Sequence, residues 1–200
     1  MGRHSSRALW TAKLLGKPVP GGPRAAKVWP EGMGPKSGAA FQGIVLGIDP
    51  SLRGTGLALV EFIRGEARLL CSQTVKMKKE ATMAACLAEI FHAVEGMLKC
   101  ARVTHVALEQ PIFVQNNRIA MIMGAARGVA MVAAARQGLP VFEYPPKRIK
   151  QAVVGFGSAQ KEQLARTMAL HLRLAQALPY DEADAAAVAL CHAFTWRGEV

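Results

Sequence analysis

Regular patterning starts at Gly43. Apolar residues run almost unbroken through GIVLGI, stop on Asp49, and resume after Pro50 and Gly54 as TGLALVEFI. These runs predict strands at about 43–49 and 55–63, the first of them buried. A third strand is expected at 67–75, joined to the second by the tight Arg64-Gly65-Glu66 connection, so that the three form a meander. From residue 80 to about 100 the period changes. Met83, Leu87, Ile90, Phe91, Val94 and Leu98 recur on one side, which predicts an amphipathic helix. VTHVALE then predicts a fourth strand at 103–109. It is followed by a helix near 116–137, a short strand at 140–144, helices near 146–154 and 159–172, and a last helix over 181–195.

Meandering strands followed by strands that alternate with helices predict the α/β class, here a mixed five-stranded sheet flanked by helices. Crossover geometry sets the first and fourth strands side by side. Both end in a carboxylate, Asp49 and Glu109. Because side chains alternate along a strand, Asp49 shares a face with Gly47 and Val45, and Glu109 with Ala107 and His105. Small residues beside each acid leave room for a close neighbour.

The last helix, DEADAAAVALCHAF, supplies one. Asp181 and Asp184 are three apart and share a face of its first turn. Each has an ordinary local explanation, Asp181 as an N-cap and Asp184 as a first-turn acid at the positive end of the helix dipole. Neither explains the alanines around them (Ala183, Ala185, Ala186, Ala187, Ala189), which let the helix approach the sheet closely. Four clustered acids raise one another's pKa unless cations neutralise them. Oxygen donors with few His or Cys nearby suit Mg²⁺, with Mn²⁺ as a substitute. Two such ions about 4 Å apart activate a water on one side of a phosphodiester and stabilise the leaving oxygen on the other. Metal-assisted phosphodiester hydrolysis is the reaction class this set supports. His105, His171 and His192 are read as structural.

Composition narrows the picture further. A 200-residue chain, 51% hydrophobic and 20% charged, buries one sizeable core, and its pattern predicts no uninterrupted apolar run of membrane-spanning length. The four cysteines (Cys71, Cys86, Cys100, Cys191) form no CxxC pair and read as buried free thiols. The net charge of +11 favours a polyanionic partner. Residues 1–41, rich in Gly, Pro and basic residues, hold +6 of it and read as a flexible extension. Residues 42–200 are then the folded domain. An overlong translation start ahead of Met33 and an organellar import signal are competing readings of the extension.

Several blocks occur in order: GIDPSLRGTG, LEQ (108–110), GAARGVAMVAAARQGLPVFEY (124–144), IKQAVVGFGSAQKEQ (149–163) and YDEADAAAVAL (180–190). Together they resemble the RuvC family of Holliday-junction resolvases, bacterial endonucleases of the ribonuclease H-like fold, over essentially all of residues 43–195. The resemblance implies that Asp49, Glu109, Asp181 and Asp184 are the catalytic, metal-binding acids, serving two Mg²⁺ per site. It implies a homodimer that cuts two symmetric strands of four-way junction DNA in recombination and repair, leaving 5′-phosphate and 3′-hydroxyl ends. It further implies a cytoplasmic setting and partnership with a RuvA–RuvB branch-migration complex.

The resemblance also sets Lys150 and Lys161 near DNA. Independently, Ser158 is a candidate cap for a helix starting near Ala159, whose N-terminus with Lys161 would meet a phosphate. The loop PIFVQNNR has an apolar tip, and the family uses such a side chain as a wedge at the junction centre; Ile112 occupies that position here and Phe113 follows it. Arg127 is either a pairing residue or a phosphate contact. The small-residue helix around Ala125, Ala126, Val129, Ala130, Val132 and Ala133 fits close packing across a two-fold axis.

The rival readings are weaker. An actin-like or sugar-kinase ATPase opens with a similar strand, Asp and Gly/Thr turn, but needs a second phosphate-binding half. A non-cutting junction binder has no use for a repulsive acid cluster. A nuclease of the same superfamily with another branched or RNA-containing substrate is disfavoured by the blocks around Arg127 and Lys150.

Overall fold

The computed structural model describes residues 41–110 and 116–198. Strands β1 (Gly43–Asp49), β2 (Gly54–Ile63), β3 (Glu66–Lys76), β4 (His105–Glu109) and β5 (Val141–Tyr144) form one sheet in the order β3-β2-β1-β4-β5. Pairing is antiparallel from β1 to β3, and parallel between β1 and β4 and between β4 and β5. The expected mixed sheet is therefore observed, with the first and fourth strands adjacent. The β2–β3 hairpin closes through Arg64 (φ 52) and Gly65 (φ 82), both left-handed, as a tight two-residue turn requires.

Strand parity sorts the core into two layers. Leu46, Ile48, Leu57, Leu59, Val106 and Leu108 pack with helices α1 (Met83–Cys100) and α2 (Asn117–Arg136). Val45, Ala58, Val60, Phe62 and Ala107 face the other way, toward α3 (Pro146–Val154), α4 (Lys161–His171) and α5 (Tyr180–Thr195). A β-bulge between Leu59 and Val60 shifts the β2–β3 register, so that Leu69 and Cys71 lie in opposite layers.

Several expected boundaries move for identifiable reasons. Helix α1 starts at Met83 because the Thr82 hydroxyl caps it, accepting from the Ala85 amide at 3.2 Å. Helix α4 starts at Lys161, and Ser158 does not cap it. Gln160 is the cap, in a reciprocal capping box with Gln163. Phe41, assigned from sequence to the extension, is buried against Phe62, His105, His192 and Trp196. Of the four free cysteines only Cys86 and Cys191 are buried, while Cys100 is exposed. Contrary to expectation, α2 is by length and composition apolar enough to cross a membrane, because alanine, valine and methionine dominate it. Its Ala126, Ala130, Ala133 and Ala134 are packed into the α1 layer of the core.

Candidate active site

The parallel register aligns Ile48 with Leu108, which sets Asp49 and Glu109 side by side at the ends of neighbouring strands. Asp49 also pairs across β2 with Gly56. The turn between them is closed by buried Thr55, whose hydroxyl donates to the Ser51 carbonyl at 2.5 Å and accepts from the Ser51 amide at 3.2 Å. No nucleotide-sized loop intervenes.

Helix α5 reaches this corner because two glycines beneath it have no side chain. A β-carbon at Gly47 would lie 2.0 Å from the Ala185 carbonyl oxygen, and one at Gly56 would lie 1.9 Å from that of Asp181. The alanines on the helix are buried in the same contact, which brings its backbone directly onto the sheet. Asp181 is not the N-cap. Pro179 holds that position and Tyr180 is the first helical residue, so the Asp181 side chain is not consumed by capping. Both acids instead act on Asp49.

The acids act on one another electrostatically. Burial, then Asp184 and Asp181, raise the Asp49 carboxyl to about 7. Burial, then Asp49 and Asp184, raise Glu109 to about 8. Asp184 is also raised, by burial first and by Asp181, against the opposing pull of Lys161. The Lys161 ammonium lies 3.7 Å from Asp184 and is largely exposed, a contact of modest energy. Lys150 donates to the Ala159 carbonyl at 2.8 Å, which ties α3 to the start of the next helix, and it also lowers the pKa of Glu109 and Asp184.

Arg127 is held in a bidentate ion pair with Glu143 of β5, its second bond measuring 2.6 Å. It thus serves as a pairing residue. With Asp49, Pro50, Glu109 and Met123 it also lines a hollow of about 20 Å³ beside the acids. Ile112 and Phe113 lie outside the described residues. His192 is wholly buried among aromatic rings, its Nδ1 sharing a 2.8 Å hydrogen bond with the Tyr144 hydroxyl, in keeping with a structural histidine. Sequence reasoning missed Glu182, which accepts from Ser72 and Thr74 on β3.

All-oxygen donors, high pKa values and mutual repulsion suit a hard divalent cation. Among the described residues no three such side chains are yet close enough together to hold an ion. The donor chemistry fits a metal, which Asp49, Glu109, Asp181 and Asp184 would hold.

A sequence model of the family described as "Crossover junction endodeoxyribonuclease RuvC" matches residues 45–192. The chain belongs to the RuvC family. A RuvC of Heliobacterium modesticaldum is 40% identical over 156 residues, covering 76% of this chain and 96% of its own. One of Halorhodospira halophila is 42% identical over 149 residues, covering 74% and 89% respectively. The solved structure of Thermus thermophilus RuvC in complex with a Holliday junction substrate matches with a TM-score of 0.73 and 37% identity, covering 78% of this chain and 96% of that one. The chain is accordingly a DNA-cleaving hydrolase with the ribonuclease H-like fold of RuvC, and membership points to divalent-metal dependence.

Proposed function

We propose that this RuvC-family chain resolves four-way DNA junctions as a homodimer, each protomer cutting one of two symmetric strands with two Mg²⁺ held by Asp49, Glu109, Asp181 and Asp184. The carrying observation is that the fold brings three elements carrying the four acids, β1, β4 and α5, to one corner, within the span of residues 45–192 that the family model matches. When bound, the ions supply an activated water and charge stabilisation for the leaving oxygen, giving 5′-phosphate and 3′-hydroxyl ends. Mn²⁺ substitutes.

The protein's own share is positioning. Asp49 and Glu109 are fixed by strand ends, and Asp181 and Asp184 by a helix seated on glycines. Lys161, and Lys150 where it is not engaged by Ala159, offer charge to the phosphates on either side of the scissile bond. Ile112 and Phe113 wedge the junction centre, and the basic residues 1–41 add electrostatic affinity beside the nuclease domain of residues 42–200. Arg127 shapes the floor of the site through Glu143. The two-fold contact runs along the outward face of α2, where Met121 (75% exposed) and Val132 (54%) flank Gly124 and Gly128, above which nothing lies within 4 Å. Action in the bacterial cytoplasm alongside a RuvA–RuvB branch-migration complex belongs to the same reading.

The test is cutting of a synthetic four-way junction and of a linear duplex of the same sequence, with Mg²⁺ and with EDTA. Paired, ligatable nicks in the junction only, and only with metal, support the proposal. Equal cutting of the linear duplex overturns the junction assignment.

A further inference from the structure

Glu182 lies between two proposed metal-binding acids, and as a first-turn acid it suits the helix dipole but has no cap N–H to bond. At the third helical position a glutamate ordinarily reaches back to the backbone N–H of the N-cap residue. Here the N-cap is Pro179, which has no N–H, and no side chain caps the helix. The Glu182 carboxylate turns to the sheet instead. The Ser72 hydroxyl donates to its Oε2 at 2.6 Å and the Thr74 hydroxyl to its Oε1 at 3.4 Å.

The sheet register gives this contact its consequence. Thr74 pairs with Gly56, which pairs with Asp49; Ser72 pairs with Ala58, which pairs with Gly47. The first two turns of α5 rest on Gly56 and Gly47, glycines that fix its height above the sheet but offer no side chain to hold the first turn sideways. Glu182 supplies the lateral attachment, reaching edge strand β3 from the same turn that carries Asp181 and Asp184. Rotation of that turn would carry both acids away from Asp49, so a bond that prevents it sets their aim.

We infer that Glu182 is a positioning residue, anchored by Ser72 and Thr74, that holds Asp181 and Asp184 in register with Asp49 and Glu109 for metal binding. This rests on the proposed role of the four acids. Groups that orient metal ligands are worth about 10- to 100-fold in affinity or activity when removed.

The experiment compares Glu182→Ala, Glu182→Gln and the double variant Ser72→Ala/Thr74→Val with wild type and Asp49→Asn. Calorimetric Mn²⁺ affinity is measured on the DNA-free protein, and kcat and KM are measured on a synthetic junction. Glu182→Ala and the double variant should weaken Mn²⁺ binding and lower kcat by about 10-fold or more with KM nearly unchanged. Glu182→Gln, which keeps an oxygen acceptor for Ser72, should recover most of both. Wild-type Mn²⁺ affinity and kcat in the double variant, which leaves the helix sequence intact, would overturn the inference whether or not Glu182→Ala folds. Equal damage from Glu182→Gln and Glu182→Ala would overturn it too, making Glu182 a direct ligand. Loss of Mn²⁺ binding in Asp49→Asn alone would leave the four-acid reading standing and remove only the tether; retention of both binding and cutting by Asp49→Asn would remove that reading.

Discussion

Gly56 lies directly under the backbone carbonyl of Asp181, so close that a β-carbon there would stand 1.9 Å from the oxygen. The site therefore depends on what β2 lacks. Gly56→Ala must lift the helix that carries two of the four acids, and Gly47→Ala must do the same one turn further along. Each substitution is expected to cost about 3 kcal/mol in denaturant unfolding, the upper range for overpacking, and to abolish cutting. Gly96→Ala is the control, since Gly96 is on the exposed side of α1 and nothing lies within 4 Å of its added methyl group. It should stabilise by about 0.5–1 kcal/mol.

The carboxylates make metal-free stability depend on pH in a defined direction. Asp49 and Glu109 have folded pKa values of about 7 and about 8, above their ordinary values of 3.8 and 4.5. The folded state thus holds protons that the unfolded chain has released, and stability falls as pH rises through the folded values. Thermal unfolding in EDTA should show Tm dropping from pH 6.5 to about 8, where the folded values are passed, and levelling off above. Saturating Mg²⁺ should restore it at the upper end, and Asp49→Asn should flatten the EDTA curve.

His192 works in the opposite sense at lower pH. Burial, with a smaller contribution from His105, lowers it from 6.5 to about 4. Between those values the unfolded chain binds a proton that the folded one refuses, so stability falls as pH falls through this window, by about 3 kcal/mol at most. Its Nε2 has no hydrogen-bond partner among the described residues, which leaves nothing on that side to compensate a charge. The double variant His192→Phe/Tyr144→Phe removes both partners of the buried bond, so it should escape this loss: its unfolding free energy should rise relative to wild type's as pH falls from 6.5 to 4.

Strand parity made the corner legible. That Asp49 shares a face with Gly47 follows from alternation alone, and the alanine spacing in residues 183–189 already implied a helix pressed against that face. The start of α4 was not legible, because Ser158 is as good a cap by residue type as Gln160, and the choice is made by reciprocal bonding with Gln163. Phe41 was misassigned because a single aromatic at the end of a Gly/Pro-rich stretch has no period to place it; only the rings of Phe62, His105, His192 and Trp196 do so. Glu182 was hidden by its neighbours, since its partners lie 108 and 110 residues away on an edge strand. The one signal was Pro179, a cap without an N–H.

Lys161 carries its charge on a largely exposed side chain, 3.7 Å from Asp184. If it meets DNA phosphate, Lys161→Ala should weaken junction binding almost uniformly across sequences and reduce the slope of log K against log salt by about 1. Titrations at several salt concentrations, in Ca²⁺ to prevent cutting, measure this. An unchanged slope would confine Lys161 to its contact with Asp184.

The central claim is that the four acids form a metal site for cutting and not for binding. Junction binding and cutting by wild type and Asp49→Asn, measured side by side in saturating Mg²⁺, test it most directly. The account predicts binding within about 3-fold of wild type and a loss of cutting on the order of 10³-fold, about 4 kcal/mol of transition-state stabilisation. Cutting by Asp49→Asn within about 10-fold of wild type would contradict it.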